Sequence, residues 1–465
     1  MNNLLVMKFG GTSMGSAERI KVAAGICTEQ KRQRPVVAVV SAMAGVTDLL
    51  LNTLRHAEAG DESGIGANLE RLTARHEEAC RELLDGRRWE STMSGIHGLI
   101  GDFERITNGV RMLGERPPRS VDEAIAIGER LSALMIAEYL EGSSVPAEAI
   151  NGSTVIVTDA VFGNATPIMA ETRRKAEQVV RPALERGAIP VVTGFNGATL
   201  DGRPTTLGRG GSDFSASILA AALDASELWI WTDVDGIMSA DPRSVTDARV
   251  LDSLTYSEAA ELAYNGAKVL HPRTLAPLIE RQIPVWSKNS FNLKHPGTRI
   301  VPSVNAPPGP RAVTSMANVA LISLEPANAA LSGTRLMARA LEALAEANAE
   351  VLALTSSSYR QSFCFLVRKE ELAAAMKSLE ADLALELTHG YLKPITVDEN
   401  VGLLAVVGEG MRGTPGLAGR LFQAISQQNV NIIAIAQGSS ELTISVVVRR
   451  DGLEQAIRAV HKECR

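Results

Sequence analysis

The stretch Leu4–Ser13, LLVMKFGGTS, decides the fold class of this chain. Its apolar first half is typical of a buried β-strand, and Lys8 stands near the end of that strand. In an open α/β sheet, ligands bind at the carboxyl ends of the strands. Gly10 and Gly11 follow, and without Cβ atoms they let the backbone approach a ligand closely. This order predicts a phosphate-binding turn, and the simpler alternative is a tight turn beside a solvated lysine.

A helix predicted from Ala17 to Thr28 completes this strand–helix unit. Thr12 and Ser13 precede the helix, and their hydroxyls can cap its first turn. The free N–H groups and the positive dipole end of a helix N-terminus attract anions. The pattern differs from a P-loop, in which the lysine follows the glycines.

The composition is that of a globular protein, and 465 residues give room for two or three domains. The chain has 47 Lys and Arg residues against 53 Asp and Glu residues, a net charge of −6. Charge therefore gives no support to a nucleic-acid partner. Small anionic substrates fit better, provided that a few cations are focused in a cleft.

Cysteine usage and apolar runs bear on location. The four cysteines form no CxxC pair and have no histidines at zinc spacing, which indicates reduced thiols in a cytoplasmic protein. The chain enters its first strand directly, so no signal peptide is expected. No apolar run reaches membrane-spanning length, so no membrane partner is expected either.

Strands and helices alternate from the first strand to about Ile300. Three further apolar runs end in small or polar residues, at 35–41, 188–195 and 228–233. Strands that are buried on both faces and separated by helices indicate a mainly parallel sheet covered on both sides. Surface helices are expected within residues 65–115.

The composition changes at 301–314, where prolines and small polar residues predict a linker. An internal repeat follows: ALTSSS begins at Ala353 and AIAQGS at Ala434, an offset of 81 residues. Each copy has the order strand, helix, strand, strand, helix, which suits a ferredoxin-like βαββαβ module. The pair either binds a ligand between its sheet edges or only dimerises the protein.

The predicted domains are therefore 1–300, a first module over 315–390 and a second over 391–465, whose strands can interleave. In the second module, a helix is expected over 414–428.

Polar groups gather in further short stretches, most of them at strand ends. They are SAMAGVTDLL (41–50), TTLGRGGSDFSA (205–216), WTDVDGIMSADPR (231–243) and GAKVLHPRT (266–274). Singly, each has a structural explanation: Asp213 as a helix cap, Lys268 as a helix C-terminal charge, Glu129 as a solvated side chain. Together they predict phosphoryl transfer, which needs cations, N–H donors and an acceptor site more than covalent chemistry.

These four stretches, together with KFGGTS at 8–13 and GERLSA at 128–133, resemble the motifs of aspartate kinases in the amino-acid kinase family. They occur in family order and cover residues 4 to about 300. The resemblance implies an α/β/α sandwich with a mainly parallel sheet, followed by two regulatory ACT domains. It implies an enzyme that phosphorylates the β-carboxylate of L-aspartate with ATP, the first step of lysine, threonine and methionine biosynthesis. Mg²⁺ would be held mainly by phosphates and water, with no metal ligands from the protein.

The resemblance also assigns site residues. Those implied in ATP binding are Lys8, Gly10, Gly11, Ser41, Thr232, Asp233, Met238, Arg243, Lys268 and Val269. Those implied in aspartate binding are Ser41, Thr47, Glu129, Phe195, Arg209, Ser212 and Asp213. The implied catalytic set is Lys8, Arg209 and Asp213.

Three of these residues have specific implied roles. Lys8 would neutralise charge on the transferring phosphoryl group. Glu129 would bind the substrate ammonium, and Arg209 would bind its α-carboxylate bidentately. No general base is needed, because a carboxylate is already ionised at pH 7.

The tail NVNIIAIAQGSSELTISVVV (429–448) resembles the threonine-responsive branch of the family. It implies an amino-acid effector, threonine foremost, at Asn431, Ile432, Gln437 and Glu441. A homodimer through the ACT domains is expected, with a tetramer as the alternative.

The chain departs from the family pattern in two places, one in the tail and one at the nucleotide site. The threonine-responsive branch has a Gln and a Glu in this loop of both repeats, whereas the first repeat here has Ser356 and Arg360, so one effector site is lost or altered. Met238 stands where the family often has a tyrosine that lines the nucleotide site, so the aromatic contact is lost.

Two other functions stay open. One is an amino-acid kinase for a different acid or a phosphate acceptor, although Glu129 with Arg209 favours an amino-acid acceptor. The other is a catalytically inactive amino-acid sensor, which the intact set of Lys8, Glu129, Arg209 and Asp213 argues against.

Overall fold

The computed structural model describes residues 3–267, 270–305, 309–327, 332–357 and 362–464. The strands, numbered in chain order, are β1 (Leu5–Phe9), β2 (Val36–Val40), β3 (Ala147–Ile150), β4 (Val157–Thr158), β5 (Ile189–Thr193), β6 (Asn196–Thr199), β7 (Pro204–Thr206), β8 (Glu227–Thr232), β9 (Ser253–Thr255), β10 (Val285–Asn289), β11 (Thr298–Val301), β12 (Ala312–Leu324), β13 (Ala353–Ser356), β14 (Phe363–Arg368), β15 (Thr396–Val407), β16 (Ile432–Gln437) and β17 (Thr443–Arg449).

The helices are α1 (Ala17–Lys31), α2 (Val46–Glu58), α3 (Glu62–Leu83), α4 (Gly86–Leu113), α5 (Pro118–Ile125), α6 (Ile127–Gly142), α7 (Met169–Val179), α8 (Arg181–Glu185), α9 (Gly211–Ala222), α10 (Tyr256–Tyr264), α11 (Pro272–Arg281), α12 (Gly333–Glu346), α13 (Lys369–Asp382), α14 (Ala384–Thr388), α15 (Leu417–Ser426) and α16 (Leu453–His461). Within the described parts of the chain, none of the helices combines the length and the apolar character that a membrane span requires.

The chain forms two compact units. The first comprises Met1–Ile237, Asp252–Tyr256 and Leu270–Ser303. The second comprises Met238–Leu251, Ser257–Val269 and Val304–Arg465.

The first unit is built on an eight-stranded sheet of order β3-β5-β2-β1-β8-β10-β11-β9. The six strands from β3 to β10 in this order pair in parallel, β10 and β11 pair antiparallel, and β11 and β9 pair in parallel. The predicted mainly parallel sheet is therefore confirmed. A second sheet consists of β4, β6 and β7, and the sequence did not predict it. Its strand β7 leads into the stretch that contains Arg209.

Strand β1 lies in the middle of this sheet and is buried along its whole length. Successive side chains of a strand point to opposite faces. Leu5, Met7 and Phe9 pack into one apolar core with residues of α1, α2, α4 and α6. Lys8 points the other way and reaches α9, where it pairs with Asp213. Because side chains alternate along β1, the Lys8 ammonium lies on the sheet face opposite to Leu5, Met7 and Phe9.

The turn after β1 differs from its prediction in one respect. Thr12–Met14 forms a single 3₁₀ turn, and Ser16 caps α1 by accepting a hydrogen bond from the Arg19 N–H at 3.3 Å. Ser13 is fully buried and its hydroxyl lies 2.8 Å from that of Ser290. Thr12 and Ser13 therefore do not cap the helix. The predicted helices within 65–115 are present as α3 and α4.

The second unit contains a six-stranded antiparallel sheet of order β13-β14-β12-β15-β17-β16. The two copies of the repeat join through β12 and β15, which pair from Ala312↔Val407 to Ser323↔Thr396 with register shifts near Val319. Helices α12 and α13 cover the first copy, and α15 and α16 cover the second. The order strand, helix, strand, strand, helix holds in both copies.

The chain path differs from the predicted limits in three respects. Residues 238–251 and 257–269 belong to the second unit, although they fall within the predicted domain 1–300. Strand β12 begins at Ala312, inside the stretch 301–314 predicted as a linker. Helix α15 begins at Leu417 rather than at 414, because Gly416 precedes it in the left-handed conformation (φ +78°).

Candidate active site

A cavity of about 570 Å³ opens in the first unit beside the carboxyl end of β1. The predicted residues that line it are Lys8, Gly11, Ser41, Thr47, Glu129, Phe195, Arg209, Ser212 and Asp213. They come from β1 and the turn after it, from the loops after β2, β5 and β7, from α2 and α6, and from the start of α9. The structure thus brings together every residue that the sequence assigned to aspartate binding, and three of those assigned to ATP.

Lys8 and Asp213 form an ion pair in this cavity, with 2.6 Å between Nζ and Oδ1. The two side chains are 10% and 22% exposed, so water screens the pair only in part. Gly10 leaves room for the ammonium group, because a Cβ atom there would lie 3.2 Å from Lys8 Nζ. An ammonium fixed in this way is placed to meet an incoming phosphate.

The two glycines after β1 differ in their contacts. The Gly10 N–H donates to the Trp231 carbonyl at 3.3 Å, so in this structure that amide serves the sheet rather than a ligand. Gly11 lines the cavity, and a Cβ atom there would approach the Ala42 carbonyl to 3.3 Å. The loop after β1 therefore packs closely against the loop after β2, which explains why residue 11 is a glycine.

Glu129 is the most perturbed acid of the cavity. It is 3% exposed, and its Oε1 accepts a hydrogen bond from the Ala42 N–H at 3.2 Å. Its Oε2 has no hydrogen-bond partner among the described residues. Burial raises the pKa of the Glu129 carboxyl to about 8. A buried carboxylate with an open oxygen is suited to receive a substrate cation.

The loop that carries Arg209 contains two residues in the left-handed backbone conformation, which favours glycine. Gly208 and Gly210 have φ angles of +75° and +70°, and Gly210 is the residue before α9. Phe195 also has a positive φ, +70°, and its N–H donates to the Ser215 hydroxyl at 2.9 Å. Strain of this kind is concentrated at ligand sites.

Asp122, on α5, is a cavity residue that the sequence did not single out. It is 1% exposed and accepts three hydrogen bonds: from the Gly163 N–H at 2.8 Å, from the Thr206 N–H at 2.9 Å and from the Thr206 hydroxyl at 2.7 Å. Burial raises its pKa, and these hydrogen bonds oppose the rise. Its neighbour Glu123 is exposed, and nothing in the sequence distinguishes the two acids.

The remaining residues assigned to the nucleotide divide between the units. Thr232 ends β8, which pairs with β1, and Asp233 follows it. Met238 and Arg243 belong to the second unit, where the exposed Arg243 guanidinium pairs with Asp241 at 2.6 Å. Lys268 and Val269 lie outside the described residues.

A second cavity, of about 710 Å³, lies within the second unit. The ends of β13 and β16 line it with Ser356 and Gln437, and α10 contributes Glu261. Asn431 and Ile432 stand at the start of β16. Glu441 lies in the turn before β17 and accepts a hydrogen bond from the Gly413 N–H at 2.7 Å. Arg360 falls outside the described residues.

Comparison with known proteins identifies the chain. It belongs to the amino acid kinase family, whose model matches residues 3–289, and a model of the ACT domain matches residues 404–464. Within that family it belongs to the aspartokinases. Aspartokinase of Schizosaccharomyces pombe is 31% identical over 492 residues, which cover 99% of this chain and 92% of that protein. The resemblance stated from the motifs is confirmed at this level.

Two further relatives extend the comparison. The chloroplastic bifunctional aspartokinase/homoserine dehydrogenase 1 of Arabidopsis thaliana is 36% identical over 464 residues, covering 98% of this chain and 50% of that protein. The chain thus spans about half the length of such curated relatives. The crystal structure of E. coli aspartokinase III in complex with aspartate and ADP is 30% identical, covers 99% of both chains and has a TM-score of 0.84.

Proposed function

We propose that this chain transfers the γ-phosphoryl group of ATP to the β-carboxylate of L-aspartate, giving 4-phospho-L-aspartate, the first step of lysine, threonine and methionine biosynthesis. The observation that carries the proposal is a single cavity that holds Lys8 and Gly11 next to Glu129 and Arg209. The first two residues suit a phosphate, and the last two suit the ammonium and α-carboxylate of an amino acid. The bound aspartate and ADP of the E. coli relative support the same pair of substrates.

In the proposed reaction, an oxygen of the β-carboxylate attacks the γ-phosphorus and forms a new P–O bond. The bond from that phosphorus to the bridging oxygen breaks, and ADP leaves with the electron pair. No proton is transferred, because the carboxylate is ionised at pH 7. Lys8 would neutralise the phosphoryl oxygens, which is the main demand of this chemistry.

Magnesium would bind through the nucleotide phosphates and water. Among the described residues, no group of three His, Cys, Asp or Glu side chains could hold a metal ion. Asp213 lines the same cavity, and it already pairs with Lys8. When bound, magnesium supplies further charge neutralisation on the phosphates.

The experiment that tests this proposal is an assay of acyl phosphate formation with hydroxylamine as the trapping reagent. ATP together with aspartate should give the hydroxamate of aspartate, and ATP with glutamate or a phosphate acceptor should give none. Equal turnover of another acid would reassign the acceptor. Binding of amino acids without any turnover would identify a sensor instead.

The pH dependence of aspartate use follows from Glu129. With a raised pKa of about 8, this carboxyl is largely protonated at pH 6.5, and a neutral carboxyl cannot pair with an ammonium group. We expect kcat/KM for aspartate to rise as the pH increases through about 8 and then to level off. Steady-state kinetics at saturating ATP between pH 6 and 9 measure this profile.

The Glu129→Gln variant should have a low and flat profile over the same range. The Glu138→Gln variant, which changes an acid on the same helix that pairs with Arg88, should keep the parent profile. A parent profile that is already flat from pH 6.5 upward would contradict the role of Glu129.

We propose further that an amino acid, threonine foremost, regulates the enzyme through the second unit, and that two chains associate through the ACT domains as a dimer. Along the sequence we propose 1–300, 315–390 and 391–465 as domain limits, with residues 238–251 and 257–269 packed in the second unit and β12 beginning at Ala312. An E. coli relative has been solved in complex with lysine and aspartate, which supports an amino-acid effector but leaves its identity open. Gln437 lines the cavity of the second unit and is our candidate for effector contact.

Replacing Gln437 by alanine should raise the threonine concentration that gives half-maximal inhibition about 2- to 10-fold, since one neutral hydrogen bond is lost. Inhibition curves at fixed substrates measure the change. Gln428→Ala, which alters an exposed glutamine just before β16, should leave the curve unchanged. Inhibition by lysine alone would overturn the choice of threonine.

A further inference from the structure

The two buried carboxylates of the catalytic cavity, Asp122 and Glu129, are used differently. Glu129 has an oxygen without a hydrogen-bond partner among the described residues, which leaves it open to a ligand. Both Asp122 oxygens accept hydrogen bonds, one from the Thr206 hydroxyl and the other from the Gly163 and Thr206 N–H groups. The Asp122 carboxylate is therefore occupied by donors of the protein itself, and it connects Thr206 to Gly163.

Asp122 holds two loops that meet at this wall of the cavity. Thr206 is the last residue of β7, and Arg209 follows three residues later. Three residues of extended chain span at most about 10 Å, so the position of Thr206 limits where Arg209 can lie. Gly163 belongs to the other loop, which is tied to the first by the hydrogen bond from the Ala165 N–H to the Thr206 carbonyl at 2.9 Å.

Other hydrogen bonds hold Leu207, the residue after Thr206. Arg273 donates to the Leu207 carbonyl at 3.4 Å and to the Ala165 carbonyl at 3.1 Å. The Leu207 N–H donates to the Phe195 carbonyl at 2.9 Å. These contacts hold Leu207, whereas Asp122 holds Thr206 by two hydrogen bonds to one carboxylate. Asp122 thus fixes the first residue of the stretch that leads to the guanidinium.

We propose that Asp122 is a positioning residue for the amino-acid acceptor: it sets the place of Arg209, and so the affinity for the acceptor carboxylate, without touching substrate. This inference rests on the proposed function, because it takes Arg209 as the group that binds the acceptor. It separates the roles of two acids that stand seven residues apart in the sequence.

The test is a kinetic comparison of Asp122→Asn with the parent enzyme. The amide group of asparagine turns N–H bonds toward the Thr206 or Gly163 donors, so at least one hydrogen bond to a charged acceptor is lost. We expect KM for aspartate to rise about 10-fold. KM for ATP and kcat should stay within about 3-fold, because the Lys8 side of the cavity is unchanged.

The double variant Asp122→Asn/Arg209→Ala tells positioning from a general structural defect. If Asp122 acts through Arg209, the double variant should have the same aspartate KM as Arg209→Ala alone. Thr206→Ser keeps the hydroxyl donor and should resemble the parent, whereas Thr206→Val should resemble a mild form of Asp122→Asn. If Asp122→Asn does not fold, the two Thr206 variants test the same hydrogen bond from its donor.

Glu123→Gln is the matched control, since it changes the next acid of α5, which is exposed. An aspartate KM that stays at the parent value in Asp122→Asn, or that rises by the same factor with and without Arg209, would overturn the inference while the proposed function stands. An Arg209→Ala variant with normal aspartate KM would overturn both.

Discussion

Replacing Lys8 by alanine is expected to lower turnover about 10²- to 10³-fold, the scale found when one preorganised charge donor is removed from an active site. The Lys8 ammonium is held 2.6 Å from Asp213 beside Gly10. The lysine side chain therefore loses little conformational entropy when it binds a phosphate. Because the transferring phosphoryl group spreads charge over its oxygens, a fixed cation is worth more in the transition state than in the substrate complex. Initial rates with saturating ATP and aspartate measure the loss.

The Lys8 variants need a fold control, because the lysine stem is part of a buried central strand. Lys8→Met keeps that stem and removes only the charge, so it should lose as much turnover as Lys8→Ala with less effect on Tm. Lys21→Ala, which removes an exposed lysine of α1, should behave as the parent. Turnover of Lys8→Met within a few-fold of the parent would contradict the central assignment of this site.

The second large effect is expected for Arg209→Ala, which should raise KM for aspartate about 10- to 100-fold. A hydrogen-bonded contact between a guanidinium and a carboxylate contributes roughly 1.5–3 kcal/mol. Arg209→Lys keeps the charge but loses the planar pair of donors, so its KM should fall between those of the parent and the alanine variant. Steady-state kinetics give KM, and calorimetry with a non-hydrolysable ATP analogue gives nucleotide affinity.

Nucleotide affinity should stay near the parent value in Arg209→Ala, because Arg209 lies with Glu129 and Phe195 on the acceptor side of the proposed site. Arg186→Ala, which breaks a surface pair with Glu148, is the matched control and should change neither constant. An equal loss of affinity for both substrates would contradict the division of the cavity into phosphate and acceptor parts.

Much of this architecture could be predicted because its signals are local. Apolar runs such as 35–41 and 188–195 are strands buried on both faces, and the offset of 81 residues relates two copies with the same order of elements. Strand-end residues such as Lys8 and Ser41 meet at one cavity because β1 and β2 pair in parallel and end at the same edge of the sheet.

What could not be predicted depends on contacts between distant residues. Asp122 looks like its neighbour Glu123 in the sequence, and only the fold shows that Thr206 and Gly163 approach one of them. The capping of α1 by Ser16 rather than by Thr12 or Ser13 depends on the 3₁₀ turn that precedes the helix. The assignment of residues 238–251 to the second unit depends on packing partners near the end of the chain.

The course of the chain through its two units has a consequence for protein engineering. Ala240 and Val245 are buried in the same apolar core as Val446 and Ile457, so truncation near residue 300 would strip these side chains of their cover. The second unit therefore cannot be removed or exchanged at a single junction in the sequence. Recombination between relatives would have to exchange residues 238–251 and 257–269 together with 304–465, so these three segments would have to be inherited together.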